Sequence, residues 1–261
     1  MNILDKIVLD KHKEVALRKS LIPTKQLEHS VLFEKETISL ATKLKNSNSG
    51  IIAEHKRRSP SKSNINNNLN VFDVASGYEN AGVCGMSVLT DGKYFGGSLD
   101  DLLTAKASCN LPLLRKEFII DEYQILEARA YGADVILLIA AILTREEIKL
   151  FSEFAKSLNL DVLLEVHNEE ELHKSIMPTL DMLGVNNRNL KTFEVSLDTS
   201  KSLSTLIPDD FVKVSESGIS SIEAIKELQP YGYQGFLIGE NFMKTDNPGE
   251  NAKAFINELE S

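Results

Sequence analysis

The sequence predicts an α/β protein in which eight parallel strands close into a (β/α)8 TIM barrel, with an N-terminal helical extension. The 261 residues contain eight short apolar runs, and polar turns with helix-like segments separate them. The runs recur at intervals of roughly 20–35 residues, which suits a strand followed by its crossover helix. Most positions in the runs are apolar without alternation, and this is typical of parallel strands that are covered on both faces.

The predicted elements follow one another in a regular order. The runs predicted as strands one to eight are 50–53, 85–89, 111–114, 134–139, 160–164, 182–185, 211–214 and 235–238. Between them, segments 123–130 and 222–228 have the apolar spacing of helices and end before Gly132 and Pro230. Eight such units close most economically into a barrel. An open, doubly wound sheet is the alternative, but the sequence lacks the G-x-G-x-x-G or Walker A loop that usually accompanies it.

Residues 1–49 precede the first predicted strand. Apolar residues between Ile3 and Val15 recur near helical spacing, so we predict an amphipathic helix that packs on the barrel. A segment of this kind extends the barrel and does not form a second domain. We therefore expect residues 1–261 to form a single domain.

The composition is that of a globular protein and excludes several classes of function. The chain has 29 Lys and Arg against 38 Asp and Glu, a formal net charge of -9, whereas large nucleic-acid-binding surfaces are basic. Cys84 and Cys109 are too few for a disulfide scaffold and lack metal-ligand spacing. The longest apolar run, 135–143, is well short of the ~20 residues that cross a bilayer, and the N-terminus has no signal-peptide pattern. We expect a cytoplasmic protein without a nucleic-acid or membrane partner.

Charged and amide side chains stand at the carboxyl ends of several predicted strands, where barrel enzymes carry their chemistry. These residues are Glu54 and Lys56 after strand one, Lys116 after strand three, Glu165 after strand five and Asn186 after strand six. Each alone would be an ordinary surface charge or turn residue. If the strands alternate as expected, all five side chains point into one cavity. Like charges and partial desolvation there would lower the lysine pKa values, which suits acid–base catalysis.

The turns after strands seven and eight have the composition of a phosphate site. Ser217 and Gly218 follow strand seven, and Gly239 and Glu240 follow strand eight. In barrels of this class, the backbone N–H groups of these two loops frequently bind phosphate. The alternative is that both glycines only allow tight turns. Because the pattern occurs after both strands, we predict a phosphate site.

Longer motifs extend from most of the predicted strand ends. They are 52–62, 87–91 with 94–98, 114–121 with 124–125, 132–134 with 137–139, 164–167, 184–193, 215–219 and, in the N-terminal helix, 3–7. In these motifs the chain resembles the indole-3-glycerol phosphate synthase family, over essentially its whole length. Two positions depart from the family pattern: Glu117 stands where the family usually has Asp, and Ser63 where it usually has Gly.

The resemblance implies a reaction and a set of roles. The family closes the ring of 1-(2-carboxyphenylamino)-1-deoxyribulose 5-phosphate, with loss of carbon dioxide and water, to give indole-3-glycerol phosphate. No cofactor or metal is implied, because the aniline ring is itself the nucleophile. Lys116 would be the general acid at the ketone, and Glu165 the general base for the ring proton. Lys56 would hold the substrate carboxylate and assist dehydration, Glu54 would orient Lys56, and Asn186 would hydrogen-bond the substrate.

The resemblance also implies the groups that bind the substrate. Arg188 would hold the loop after strand six in place. The residues implied at the phosphate are Ser59, Gly218, Gly239 and Glu240. Those implied as walls of the aromatic slot are Phe95, Phe118, Leu137 and Leu190, for which ordinary core packing is the alternative. The expected partner is a small anionic substrate, and the expected state is a monomer or a weak homodimer.

Two other functions are weighed against this one. Phosphoribosylanthranilate isomerase is another phosphate-binding barrel, and it would carry a Cys base after strand one and an Asp acid after strand six. Here strand one is followed by 54–56, and Cys84 lies before the second run. A barrel kept only for ligand binding would have lost the charged groups at its strand ends, and here they are all present.

Overall fold

A computed structural model describes residues 3–190 and 192–261, and their strands form one closed parallel barrel. Each strand pairs with the next along the chain, and the last pairs with the first. The strands are β1 (Ile51–His55), β2 (Gly85–Leu89), β3 (Leu113–Lys116), β4 (Val135–Ile139), β5 (Asp161–Val166), β6 (Met182–Asn186), β7 (Val212–Glu216) and β8 (Tyr233–Ile238). This arrangement confirms the predicted (β/α)8 barrel.

Helices surround the barrel and follow its strands along the chain. They are α1 (Ile3–Leu21), α2 (Thr24–Glu28), α3 (Leu40–Lys45), α4 (Val71–Ala81), α5 (Gly92–Phe95), α6 (Leu99–Ser108), α7 (Glu122–Ala130), α8 (Arg145–Ser157), α9 (Glu169–Ser175), α10 (Asp198–Ser204), α11 (Ile222–Leu228), α12 (Glu240–Met243) and α13 (Pro248–Leu259). Short 3₁₀ helices lie at Ala140–Ile142 and Gln229–Tyr231. Within the described ranges, no helix is both long and apolar enough to cross a membrane.

All eight predicted runs lie on strands, but most of the strands continue further into polar sequence than predicted. The strand β3 begins at Leu113, two residues after the start of its run, because Pro112 has no N–H to donate to a neighbouring strand. At its other end it includes Lys116, and β7 includes Glu216. Polar side chains are accommodated at these ends because they point into a cavity and not into the apolar core.

The barrel interior is a separate apolar cluster that helix α3 closes from below. Interior side chains such as Ile52, Leu114 and Val214 pack with Leu40 and Leu44 of α3. Glycines in two strands leave room for this helix. A Cβ on Gly85 would lie 2.6 Å from the Leu40 Cδ1 atom, so a larger residue there would displace α3.

The N-terminal extension is helical as predicted, but its buried stripe contains a charge. Ile7, Lys11 and Val15 of α1 are buried, one turn apart, whereas Leu17 and Leu21 of the same helix are exposed. The pattern therefore differs from a simple apolar face. Lys11 is buried because carboxylates of the barrel pair with it, and this fixes α1 over the carboxyl end of the strands.

Candidate active site

One cavity of about 360 Å³ opens at the carboxyl end of the barrel, and each of the eight strands contributes to its lining. Every site residue that the sequence predicted lines this cavity. These residues are Glu54, Lys56, Ser59, Phe95, Phe118, Lys116, Leu137, Glu165, Asn186, Arg188, Leu190, Ser217, Gly218, Gly239 and Glu240. Cys84, the candidate base in the isomerase alternative, is buried just before β2 and does not line it.

Strand alternation explains why the charged side chains meet. In β1, Ile52 points into the barrel interior, so Glu54 two residues later points the same way. Lys116 follows the interior residue Leu114 at the same spacing in β3. In β5, Glu165 also follows an interior residue by two positions. The lower layer of the barrel is therefore apolar, and the upper layer is charged.

Lys116 lies at the centre of the charged layer. Its Nζ atom contacts the carboxylate of Glu216 and lies 3.5 Å from Glu165 Oε2. A second pair stands beside it, where Lys56 Nζ donates to Glu54 Oε1 at 2.6 Å. Each of the two predicted lysines is thus paired with at least one carboxylate at the carboxyl end of the barrel.

The sequence-based expectation that the lysine pKa values would be lowered is wrong for Lys116. Burial alone would lower its pKa, but the charges of Glu216, Glu165 and Glu54 outweigh burial and raise the pKa above its usual range. The expectation failed because it counted neighbouring lysines and omitted Glu216. Lys116 is therefore protonated in the free protein, as a general acid requires.

The two carboxylates that contact Lys116 have very different pKa values. Burial opposes ionisation of Glu165, but Lys116 and His167 lower its pKa to about 2. Burial raises the pKa of Glu216 to about 7, against the attraction of Lys116 and with help from the charge of Glu165. At neutral pH, Glu165 is therefore ionised, whereas Glu216 is near its midpoint.

Glu216 is the main site residue that the sequence-based selection missed. Its Oε1 atom has no hydrogen-bond partner within the described residues, and a Cβ added to Gly184 would lie 2.6 Å from it. Glycine on β6 therefore leaves the space that this carboxyl group occupies. The signal was available in the sequence, because Glu216 follows the interior residue Val214 by two positions.

The turn after β7 lines the cavity with little side-chain cover. Ser217 and Gly218 both have a left-handed backbone, with φ of 65° and 78°, and Gly218 has no side chain to obstruct its backbone N–H. Asn187, which the sequence analysis did not select, is buried and donates to the Ser217 carbonyl at 3.1 Å. After the neighbouring strand β8, Glu240 pairs with Lys62 at 2.6 Å, so a cation stands beside the turn that follows β8.

An apolar slot forms the opposite side of the cavity. The rings of Phe95 and Phe118 lie 5.8 Å apart, with an interplanar angle of 41°. Leu137 comes from the barrel interior, where it is buried. Ile3, Leu4 and Ile7 of α1 also line the cavity. The N-terminal helix is therefore part of the site, which the sequence analysis did not predict.

The loop after β6 is fastened to the strand that precedes it. The Asn186 side chain accepts the Arg188 backbone N–H at 3.0 Å, and Arg188 Nη1 donates to the Phe193 carbonyl at 3.1 Å. Arg188 thus connects the two ends of the loop, while Leu190 lines the cavity. Lys191, which belongs to one of the family motifs, lies outside the described residues.

Comparison with known proteins identifies the family. A sequence model described as indole-3-glycerol phosphate synthase matches residues 4–256. An indole-3-glycerol phosphate synthase of Bacteroides thetaiotaomicron is 46% identical over 259 residues, which are 99% of this chain and 99% of the relative. One of Polaromonas naphthalenivorans is 42% identical over 252 residues, 95% of this chain and 96% of the relative.

Solved structures of other enzymes share the fold at low sequence identity. The 3-hexulose-6-phosphate synthase of Salmonella typhimurium superposes with a TM-score of 0.65 at 13% identity, over 80% of this chain and 98% of that one. Thiamine phosphate pyrophosphorylase of Pyrococcus furiosus gives 0.59 at 16%, over 85% and 100%. These likenesses show the barrel alone. The sequence relatives show more: the chain belongs to the indole-3-glycerol phosphate synthase family, carboxy-lyases of tryptophan biosynthesis.

Proposed function

We propose that this chain closes the indole ring of 1-(2-carboxyphenylamino)-1-deoxyribulose 5-phosphate, with loss of carbon dioxide and water. One observation carries the proposal: Lys116 lies 3.5 Å from the carboxylate of Glu165, in a cavity that also contains an apolar slot and, opposite the slot, a turn suited to an anion. The substrate has the matching parts, namely a ketone, an aryl ring and a phosphate. Family membership supports the same reaction.

The proposed pose follows from the chemistry of each wall. The phosphate binds the N–H groups of Gly218, Gly239 and Glu240, with Ser59 as a further donor. The aryl ring enters the slot between Phe95, Phe118, Leu137 and Leu190, which would exclude water from the reacting carbons. Asn186 donates to the substrate near those carbons, and Arg188 keeps its loop in place. In this pose the ketone lies close to Lys116, and the aryl carboxylate lies near Lys56.

The proposed chemistry begins at the ketone. Lys116 donates a proton to the ketone oxygen while the aryl carbon attacks the carbonyl carbon, which forms the new carbon–carbon bond. The carboxylate next leaves that aryl carbon as carbon dioxide, and its bonding electrons restore the aromatic ring. Lys56, oriented by Glu54, then assists departure of the hydroxyl group as water. Glu165 accepts the proton that leaves the new five-membered ring.

The direct test is conversion of the linear substrate by the purified protein. We expect the absorbance and fluorescence of indole-3-glycerol phosphate to appear without added metal, and to be unchanged by EDTA. Loss of turnover on chelation, restored by zinc or magnesium, would contradict the metal-free reaction. A parallel assay with phosphoribosylanthranilate tests the isomerase alternative. Turnover of this compound in place of the linear substrate would reject the proposal.

Three further features of the molecule remain predictions. They are a single domain over residues 1–261, a cytoplasmic location and a monomeric or weakly dimeric state. A family of small-molecule biosynthetic enzymes is consistent with the expected location. Sedimentation of the purified protein at several concentrations tests its oligomeric state.

A further inference from the structure

A histidine stands directly behind the candidate base, outside the main cavity. His167 immediately follows β5, and Asn168 caps helix α9 by accepting the N–H of Glu171 at 2.9 Å. Glu171 reaches back, and its Oε2 atom accepts the His167 backbone N–H at 2.8 Å and lies 3.0 Å from His167 Nδ1. The start of the helix therefore fixes the position of the imidazole ring.

The other ring nitrogen faces Glu165. His167 Nε2 lies 3.3 Å from Glu165 Oε1, an ion-pair distance, although the two groups are not aligned as a hydrogen bond. The imidazole is nearly buried, with 11% of its side chain exposed. It lines a second cavity of about 530 Å³ with mostly polar residues around it, whereas Glu165 lines the main cavity. Substrate in the main cavity would thus touch Glu165 and leave His167 untouched.

The charges around His167 hold it in the protonated form. Burial lowers its pKa, but Glu165 and Glu171 outweigh burial and raise the pKa to about 10. Across the second cavity, the ionisable side chains are Arg188 and Glu194. Those facing Glu165 from the other strands are Lys116, Glu54 and Glu216. Near neutral pH, the ring is therefore an imidazolium between two carboxylates.

We infer that His167 is a positioning residue for this reaction, which fixes the Glu165 carboxylate and keeps it ionised after Lys116 has given up its proton. The inference rests on the proposed function and goes beyond it. In the described part of the chain, the cations within ion-pair distance of Glu165 are Lys116 and His167. The order of the chemical steps makes the second cation necessary.

Lys116 donates its proton in the first step, whereas Glu165 accepts a proton in the last. Between these steps Lys116 is neutral, and its charge no longer favours the ionised form of Glu165. Buried beside Glu54 and Glu216, the Glu165 carboxylate would then tend to take up a proton too early. His167 does not contact the reacting atoms, so its positive charge persists. Its contact with Oε1 also leaves Oε2 directed toward Lys116 and the substrate.

Three variants separate this role from a structural one. His167→Asn removes the charge. Glu171→Gln keeps an acceptor for the His167 backbone N–H, because glutamine also serves in a capping box, but it removes one of the carboxylates that hold the ring protonated. His173→Asn is the matched control. His173 lies on α9, as Glu171 does, but it is exposed and pairs with Glu169 away from both cavities.

We expect His167→Asn to lower kcat by about 10- to 100-fold with KM nearly unchanged, because displacement of a catalytic group has effects of this size. Glu171→Gln should make kcat fall off at a lower alkaline pH than in the wild type, since the imidazolium then loses its proton more easily. His173→Asn should match the wild type in both respects. A wild-type kcat in His167→Asn, or a pH-independent loss in Glu171→Gln, would overturn the inference.

Nuclear magnetic resonance tests the charge of His167 without any assay of activity. The chain has five histidines, so the imidazole signal that disappears in His167→Asn identifies this residue. In the wild type the signal should remain that of an imidazolium through pH 8, and in Glu171→Gln it should titrate lower. Titration near the ordinary value of about 6.5 in the wild type would refute the inference. If instead the wild type does not convert the linear substrate, the proposed function fails, whatever the titration shows.

Discussion

Replacement of Glu216 by glutamine should stabilise the protein at alkaline pH while it impairs catalysis. The carboxyl group is buried, and its Oε1 atom has no hydrogen-bond partner in the part of the chain that the structure describes. Glutamine has nearly the same shape as protonated glutamate and cannot ionise. The substitution therefore removes the penalty of a buried charge, but it also removes the carboxylate that contacts Lys116.

The size of the effect follows from the pKa of Glu216, which is raised from 4.5 to about 7 in the folded protein. A raised pKa means that the folded protein loses stability as pH rises from 4.5 to 7, and that the loss is complete above 7. Each pKa unit corresponds to about 1.4 kcal/mol, so the full penalty is about 3 kcal/mol. Relative to the wild type, Glu216→Gln should gain about this much at pH 8 and very little at pH 4.5.

Urea unfolding of both proteins at pH 4.5 and pH 8 measures the difference. The substitution of exposed Glu170 by glutamine serves as a control and should give similar differences at both pH values. In parallel, kcat of Glu216→Gln should fall, because Lys116 loses the contact that positions it. If the variant is less stable than the wild type at pH 8, or if its effect is the same at both pH values, the assigned pKa of Glu216 is wrong.

Substitutions at three other positions test separate parts of the site. Lys116→Met should lower kcat by about 10²–10⁴-fold, and Lys116→Arg nearly as much because guanidinium does not release a proton; circular dichroism checks folding. A kcat above about a tenth of the wild-type value would move the acid role to Lys56. Gly218→Val should raise KM far more than it lowers kcat, because the valine side chain would collide with Val195 and obstruct the turn. Gly82→Val is the control: Gly82 also has a positive φ but lies in open space, so KM should be unchanged. Lys11→Met should lower the free energy of unfolding in urea by about 3–5 kcal/mol, since it leaves Asp91 and Glu117 buried without their cation. A decrease below about 1 kcal/mol would show that the ion pairs of Lys11 contribute little to stability.

The sequence by itself determined the barrel and most of the side chains that meet at the carboxyl end of its strands. Eight predominantly apolar runs at the spacing of strand and crossover helix allow few other folds. Once that fold is assumed, residues that follow a strand meet at one end of the barrel, however far apart they are in the chain. This is why Glu54, Lys116 and Glu165 were selected correctly as neighbours, although 111 residues separate the first from the last.

The tertiary structure alone decided the electrostatics and the closure of the site. The pKa of Lys116 depends on the sum of burial and of three carboxylates at different distances. The carboxylate with the largest effect, Glu216, lies 100 residues away in sequence. The N-terminal helix forms a wall of the cavity because Lys11 pairs with Asp91 and Glu117, which follow the neighbouring strands β2 and β3. Apolar periodicity is local and can be read along the chain. Charge interactions depend on distance in space. Because the contributions to a pKa shift oppose one another and are of similar size, the direction of the shift is known only when every neighbouring group is placed.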